Sequence, residues 1–307
     1  MLRRTASGFT TFVLLAGSTT ALADDLADCS QRADLDLRVR GCTRMIAQTK
    51  DKQSLTAFYG LRGVAFSAKG DHERAIADHT KAIEINPTAA TPHYRRGLAR
   101  ARKREFDRAI ADFNNAIDIN PRLALAYYNR GGSFGRKGDL DRAIVDYTKA
   151  IEISPLFTLA HFVRAGAYHK KRDYDAAIAG YTKVLEIDPK AAQTYHLRGV
   201  AYQRKGDHDR AIVDYTKAIE LDDRSFAAFF ARGLAHRHTG DLNRSIADLT
   251  KAMQIDRESA QAVSNRGFSF ERKGAKDRAV ADYRNALRLD ATNKQSRDGL
   301  KRLGASP

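Results

Sequence analysis

The chain has 307 residues, 43% of them hydrophobic and 29% charged, with no Trp, a balance that forces no unusual class. That length allows about two globular domains. The formal charge of +16 favours acidic or polyanionic partners and disfavours adhesion to basic ones, while saying nothing about fold.

Residues 1–23 read as an export signal. Leu2-Arg3-Arg4 makes a basic start, Phe12-Val13-Leu14-Leu15-Ala16 an apolar centre and Ala21-Leu22-Ala23 a small-x-small cleavage site. The apolar centre falls far short of the roughly 20 residues that span a bilayer, so cleavage after Ala23 is expected rather than a retained anchor. Leu15-Ala16-Gly17 is similar to the start of a lipoprotein box, but Ser18 stands where the lipid-bearing cysteine belongs. No later stretch is apolar enough to span a membrane. The expected product is periplasmic or secreted and starts at Asp24. Without Arg3 and Arg4, 51 of the 53 basic residues remain against 37 acidic ones, a net charge of +14.

Cys29 and Cys42 are the only cysteines. Export to an oxidising compartment predicts that they are bridged, closing a loop of about 14 residues and contributing ~3 kcal/mol by chain entropy; two buried thiols are the alternative. Residues 24–55 read as an N-terminal helical cap, with helices expected over Asp24 to Gln31 and Asp36 to Lys50. Thr43-Arg44-Met45-Ile46 echoes Thr80-Lys81-Ala82-Ile83 at a spacing of 37 rather than 34, as an atypical terminal unit would.

From Thr56 an Arg-Gly step recurs every 34 residues: Arg62-Gly63, Arg96-Gly97, Arg130-Gly131, Arg164-Ala165, Arg198-Gly199, Arg232-Gly233 and Arg266-Gly267. A fixed period of this length means stacked copies of one small unit, which overrides the two-domain expectation. The seven units are 56–89, 90–123, 124–157, 158–191, 192–225, 226–259 and 260–293. Position 8 of each unit is Gly, or Ala165 in the fourth, and position 20 is Ala, or Ser245 in the sixth. Glycine inside a helix costs about 1 kcal/mol relative to alanine, so its repetition predicts a close helix crossing at positions 8 and 20. Ile144, Tyr147, Ala150 and Ile151 mark the buried stripe of a second helix. Lys69-Gly70-Asp71, Lys137-Gly138-Asp139 and Lys205-Gly206-Asp207 end one helix and cap the next. Pro87, Pro121, Pro155 and Pro189 end the second helices. Asp223, Arg257 and Ala291 replace the proline later, which predicts an array that loosens toward its C-terminus. Residues 294–307 then form a capping helix and tail, with Leu300 and Leu303 covering the last pair.

This pattern resembles the tetratricopeptide repeat family. The resemblance rests on an aromatic or His at position 4 (Tyr59, His93, Tyr127, His161, Tyr195, Phe229), Gly at 8, an aromatic often at 11 (Phe66, Phe134, Tyr168, Tyr202, Phe270), Ala at 20, an aromatic at 24 (Phe113, Tyr147, Tyr181, Tyr215, Tyr283), Ala at 27 and Pro at 32. Val263 at position 4, Val184 at 27 and the constant Arg at 7 depart from it. The resemblance implies an all-α chain, a right-handed superhelical solenoid of antiparallel helix pairs, whose first helices line a concave groove that binds proteins or peptides. It places positions 2, 5, 6, 9, 12 and 13 on that groove. Position 5 then forms an aromatic column of Tyr94, Tyr128, Phe162, His196 and Phe230; position 6 includes Arg95 and Asn129; position 13 forms a basic column of Arg102, Arg136, Lys170, Arg204, His238 and Arg272. Rings and Arg are strong interface anchors, and a positive groove steers acidic ligands. The alternatives are that position 5 packs against a neighbouring unit and position 13 is a solvated helix end. The carboxylate clamp of chaperone-binding members needs Lys at 5 and Asn at 6 and 9, and is not matched.

Arg at position 7 occurs in all seven units, which points to a structural role. Position 19 is Arg and position 23 Asp in six units, and the fourth loses both, as Ala176 and Gly180. Joint loss at this spacing predicts an i,i+4 pair of small energetic weight. Neither HExxH nor a Cys/His ligand cluster occurs, so no catalytic residue, metal or cofactor is expected. His236 and His238, two residues apart, point away from each other on a helix. Gly131-Gly132-Ser133-Phe134-Gly135-Arg136-Lys137 follows no strand and reads as a weak helix rather than a phosphate loop. The expectation is an exported, non-enzymatic scaffold for a protein or peptide, acidic in character, with an anionic envelope polysaccharide as the alternative ligand. An export signal argues against nucleic acid.

Overall fold

The computed structural model describes residues 14–306. Among these there are 17 α-helices and no strand. The basic start of the expected export signal lies outside the described residues. The first helix, α1 (Leu14–Ser30), runs through the expected cleavage point.

The chain divides into two compact units, one ending at Pro155 and the other beginning at Leu156. The first holds α1, α2 (Leu35–Gln48), α3 (Lys52–Ala68), α4 (His72–Ile85), α5 (Ala90–Arg102), α6 (Phe106–Ile119), α7 (Ala124–Arg136) and α8 (Leu140–Ile153). The second holds α9 (Thr158–Lys170), α10 (Tyr174–Ile187), α11 (Ala192–Arg204), α12 (His208–Leu221), α13 (Phe226–His238), α14 (Leu242–Ile255), α15 (Ala260–Arg272), α16 (Lys276–Leu289) and α17 (Lys294–Arg302). Helices pack in consecutive pairs within each unit. The first repeat differs from its predicted start at Thr56, because α3 begins at Lys52. Asp51 moves the boundary by accepting the backbone N–H of Ser54 at 2.8 Å, which starts the helix a turn early.

Local chemistry sets the helix ends. Asp71, Asp139, Asp173, Asp207 and Asp241 each accept the N–H three residues on, capping the second helix of their repeat. The preceding turn takes a left-handed residue: glycine at Gly70, Gly138, Gly206, Gly240 and Gly274, but Arg104 (φ 64°) and Arg172 (φ 63°) in the second and fourth repeats. The expected loosening toward the C-terminus does not occur. α12, α14 and α16 keep the 14-residue length of the earlier second helices. Proline is not what stops them: the carboxylates of Asp222, Asp256 and Asp290 accept the N–H two residues on, at 3.1, 3.1 and 2.8 Å. Asn86, Asn120 and Asp188 make the same turn ahead of Thr88, Arg122 and Lys190 in repeats that do carry proline.

The crossing of each helix pair explains its small residues. A Cβ at Gly97 would lie 2.7 Å from the Phe113 ring, and one at Gly199 equally close to Tyr215. Position 20, from Ala75 to Ala279, is fully buried. The fourth repeat exchanges the small residue between helices: Ala165 occupies position 8, and a Cβ at Gly180 would lie 2.8 Å from that of Ala165. Both ends are closed. Cys29 and Cys42 are disulfide-bonded and fully buried between α1 and α2, packed with Met45 and Phe58. At the other end, Leu300 of α17 is buried with Phe270 and Tyr283, and Leu303 packs beside it.

Candidate interaction face of the first helices

The position 7 arginine, unexplained by sequence, joins three helices in six repeats. Arg96 Nη2 donates to Asp112 Oδ1 at 2.8 Å on the second helix of its own repeat, and its Nη1 donates to Thr80 Oγ1 at 3.1 Å on the repeat before. Arg62, Arg130, Arg198, Arg232 and Arg266 fork onto Asp78, Asp146, Asp214, Asp248 and Asp282 in the same way. Their third contacts are Thr43, Asn114, Thr182, Thr216 and Thr250. Hydrogen bonding to the carboxylate is the main reason that Arg62, Arg130 and Arg198 sit above the usual guanidinium range. Position 7 is therefore a strut between helices.

The predicted pair between positions 19 and 23 is not formed. Asp at 23 turns inward to the position 7 fork. The position 19 arginine folds back instead onto the capping residue of its own helix, Arg74 to Asp71 at 2.5 Å and Arg142 to Asp139 at 2.6 Å. Its guanidinium also lies over the position 11 ring, 4.5 Å from Phe66 for Arg74 and 4.3 Å from Phe134 for Arg142. Loss of the position 23 Asp in the fourth repeat has a steric cause, since with Ala165 at the crossing a Cβ at 180 would lie 2.8 Å from the Ala165 Cβ; the loss of Arg at position 19, as Ala176, has no structural explanation.

Position 5 rings are half-buried, and four of them meet the core ring at position 24 of their own repeat in tilted or edge-on contact. Tyr94 lies 6.0 Å from Phe113, Tyr128 6.0 Å from Tyr147, Phe162 6.0 Å from Tyr181 and His196 5.6 Å from Tyr215. Phe230 stacks on Phe226 at 5.6 Å. Packing also reaches the following repeat, as the alternative expects: Tyr94 joins a cluster with Ala126 and Phe230 one with Ala262. Asn129 Nδ2 donates to the Tyr94 hydroxyl at 3.2 Å and to Leu125 O at 2.7 Å, which fixes its side chain.

Arg102, Arg136, Lys170, Arg204, His238 and Arg272 are all exposed, as is Arg95. Arg95 lies 5.9 Å from the Tyr94 ring centre, and Arg272 Nη1 donates to Arg237 O at 3.2 Å. In the first unit, Val64, Ser67 and Ala68 of α3, His72 of α4 and Arg95, Leu98 and Arg102 of α5 line a cleft of about 280 Å³. Apart from His72, at position 17, these residues occupy positions 6, 9, 12 and 13; no residue of position 2 or 5 lines this cleft.

Several residues of this face lay outside the sequence expectation. Arg237, at position 12, donates to Asn265 at 2.9 Å and lies 5.0 Å from the Phe268 ring, with Arg302 of α17 5.7 Å from the same ring. Glu271 accepts the Arg302 fork at 2.7 and 2.9 Å and the Tyr283 hydroxyl. Position 12 had been placed on the groove without residues assigned to it, and reading it along the repeats would have singled out Arg237 and Glu271. His79 takes position 24 in the first repeat, buried, with no hydrogen-bond partner at either ring nitrogen. Burial, then the cations Arg95 and Arg96, push its imidazole down to about 4. His208 and His238 stack with ring centres 4.5 Å apart. Among the described residues no group of His, Cys, Asp or Glu is arranged to hold a metal, and no helix is long and apolar enough to cross a membrane.

Family profiles described as tetratricopeptide repeat match residues 90–123, 124–156, 192–225 and 226–259, and one described as TPR repeat matches 63–104 and 165–206. The chain belongs to the tetratricopeptide repeat family. No curated protein matches this tetratricopeptide repeat chain. Among solved structures it is similar to YrrB, described as a TPR protein with an unusual peptide-binding site, at 21% identity and a TM-score of 0.56, over 62% of this chain and 97% of that one. A tetratricopeptide repeat protein from Parabacteroides merdae is 19% identical with a TM-score of 0.57, over 81% of this chain and 99% of that one. The C-terminal part of a TPR repeat-containing protein from Cytophaga hutchinsonii is 20% identical with a TM-score of 0.58, over 93% and 98%. At these identities the likeness is one of fold.

Proposed function

We propose that the protein is an exported, non-enzymatic scaffold that binds an acidic protein or peptide segment on the face of its first helices. The observation that carries this reading is that the first helices repeatedly hold a half-buried ring at position 5 and an exposed cation at position 13. Half-buried rings are held in place yet keep a surface for a ligand, so little conformational entropy is lost when they are covered. YrrB, a protein of the same fold, is described as having a peptide-binding site, which supports a peptide as the ligand. Export is supported by the N-terminal signal pattern and by the buried disulfide. Mass spectrometry of the secreted or periplasmic product is expected to find a chain starting at Asp24, and a chain retaining residues 1–23 would remove export by cleavage.

Affinity capture from an envelope fraction, repeated across salt, tests the partner. A peptide or protein ligand is expected to survive moderate salt because ring contacts are not screened. A ligand lost steeply with salt and identified as an anionic polysaccharide would replace this reading. Tyr94→Ala with Tyr128→Ala is expected to weaken capture while circular dichroism stays unchanged. Unaltered capture would leave the position 5 rings with a packing role only.

A further inference from the structure

The cleft at the first and second repeats is surrounded by positive charge that the protein itself leaves unanswered. Arg95 and Arg102 line it. They stand seven residues apart on α5, two helical turns, and so share one face about 10 Å apart along the axis. Neither forms an ion pair among the described residues, and nor does Arg136 on α7. Arg38 of α2 adds an independent observation: its Nε is buried with no hydrogen-bond partner. Burial, then the nearby cations Arg32 and Arg95, hold the Arg38 guanidinium below its usual range. The acids of this region are engaged elsewhere, Asp36 by Lys69, Asp71 by Arg74 and Glu73 by Lys103. Clustered guanidinium groups without carboxylates repel one another and leave donors unsatisfied, a cost that an incoming anion relieves.

We propose that this cleft is the anchoring subsite for side-chain carboxylates of the acidic segment, with Arg95 and Arg102 as its two receptors. The inference rests on the reading of this face as a peptide-binding one. A rise of about 10 Å equals about three residues of polyproline II chain, whose side chains return to the same side every third residue, so the segment presents glutamate or aspartate at i and i+3. Arg38 tightens the site from behind by adding field without direct contact. Arg136 continues the positive edge, which favours a run of acids over a single one.

The test uses an N-acetylated, C-amidated peptide with two glutamates three residues apart followed by phenylalanine and leucine, measured by fluorescence anisotropy on the full chain at low salt. Arg95→Gln with Arg102→Gln is expected to weaken it by about tenfold per arginine, the scale of a charged hydrogen bond, and to flatten its salt dependence. Lys251→Gln, a change at an exposed cation of α14 in the other unit, is expected to leave it within twofold or so. All three residues are exposed, and circular dichroism checks that the fold is kept. Equal loss in Lys251→Gln, or no loss in the double variant, overturns the subsite. If the glutamine version binds as well as the glutamate one, the subsite falls while the peptide-binding reading stands. A glutamine version with a free C-terminal carboxylate that matches the glutamate peptide would assign the cleft to chain ends and overturn the side-chain proposal. If no version binds, both readings fall together.

Discussion

Arg104 and Arg172 hold left-handed backbone that glycine holds in the other repeats. An L-residue with a Cβ pays roughly 1–2 kcal/mol for that conformation. Arg104→Gly and Arg172→Gly are each expected to raise stability by about 1 kcal/mol in thermal unfolding, partly offset by the entropy glycine adds to the unfolded chain. The fourth repeat offers a second test. Gly180→Ala is expected to cost about 1 kcal/mol through overpacking against Ala165, and adding Ala165→Gly should recover most of it. His79 makes a pH prediction. The unfolded chain takes up this proton near pH ~6.5, while the folded imidazole is held down to about 4. The unfolded state thus binds more protons between these values, so the stability is fully present above about pH 6.5 and is lost as pH falls toward 4, by at most about 3 kcal/mol. His79→Phe, which copies Phe113 of the next repeat, is expected to remove that loss from a pH series of unfolding midpoints.

At the level of helices, the two ends differ in how they are closed. α1 and α2 are held by the buried Cys29–Cys42 bridge, whereas α17 is held by Leu300 against Tyr283 and by Arg302 on Glu271. Cys29→Ser with Cys42→Ser is expected to cost about 3 kcal/mol by loop entropy. Amide exchange should place the extra opening in α1 and α2 before any other pair, since a terminal hairpin lacks a neighbour on one side. Helix identity was fully legible from apolar period, caps and turns. Helix ends were legible in kind but misassigned in cause, because proline is conspicuous in a sequence and the Asx turn that does the work at Asp222 or Asn86 is not.

Across the molecule, struts between successive helix pairs repeat with the sequence. The position 7 forks are joined by lysines at position 14, where Lys103 reaches Glu73, Lys137 reaches Asp107 and Lys205 reaches Asp175. Breaking a fork by Asp146→Asn is expected to cost about 2–3 kcal/mol, below the value for a fully buried pair because the Arg130 side chain keeps 21% exposure. The lysine links are exposed and screened, so removing one should hardly change stability at physiological salt. Of the candidate face, the residue types at positions 5, 6 and 13 were readable once the register was known. The unpaired state of Arg95 and Arg102 was not, because charge pairing depends on which helix faces which.

The sequence by itself determined the repeat, its period, the helix pairs and the small residues at their crossings, since these follow from short-range sterics and apolar spacing that each copy states again. Only the tertiary structure decided which charges pair. On a helix, i,i+4 spacing brings position 19 near position 23, yet a rigid arginine fork arriving from the facing helix wins that carboxylate, because it satisfies two donors at once in a nearly dry site. The same competition leaves Arg95 and Arg102 without an acid among the described residues.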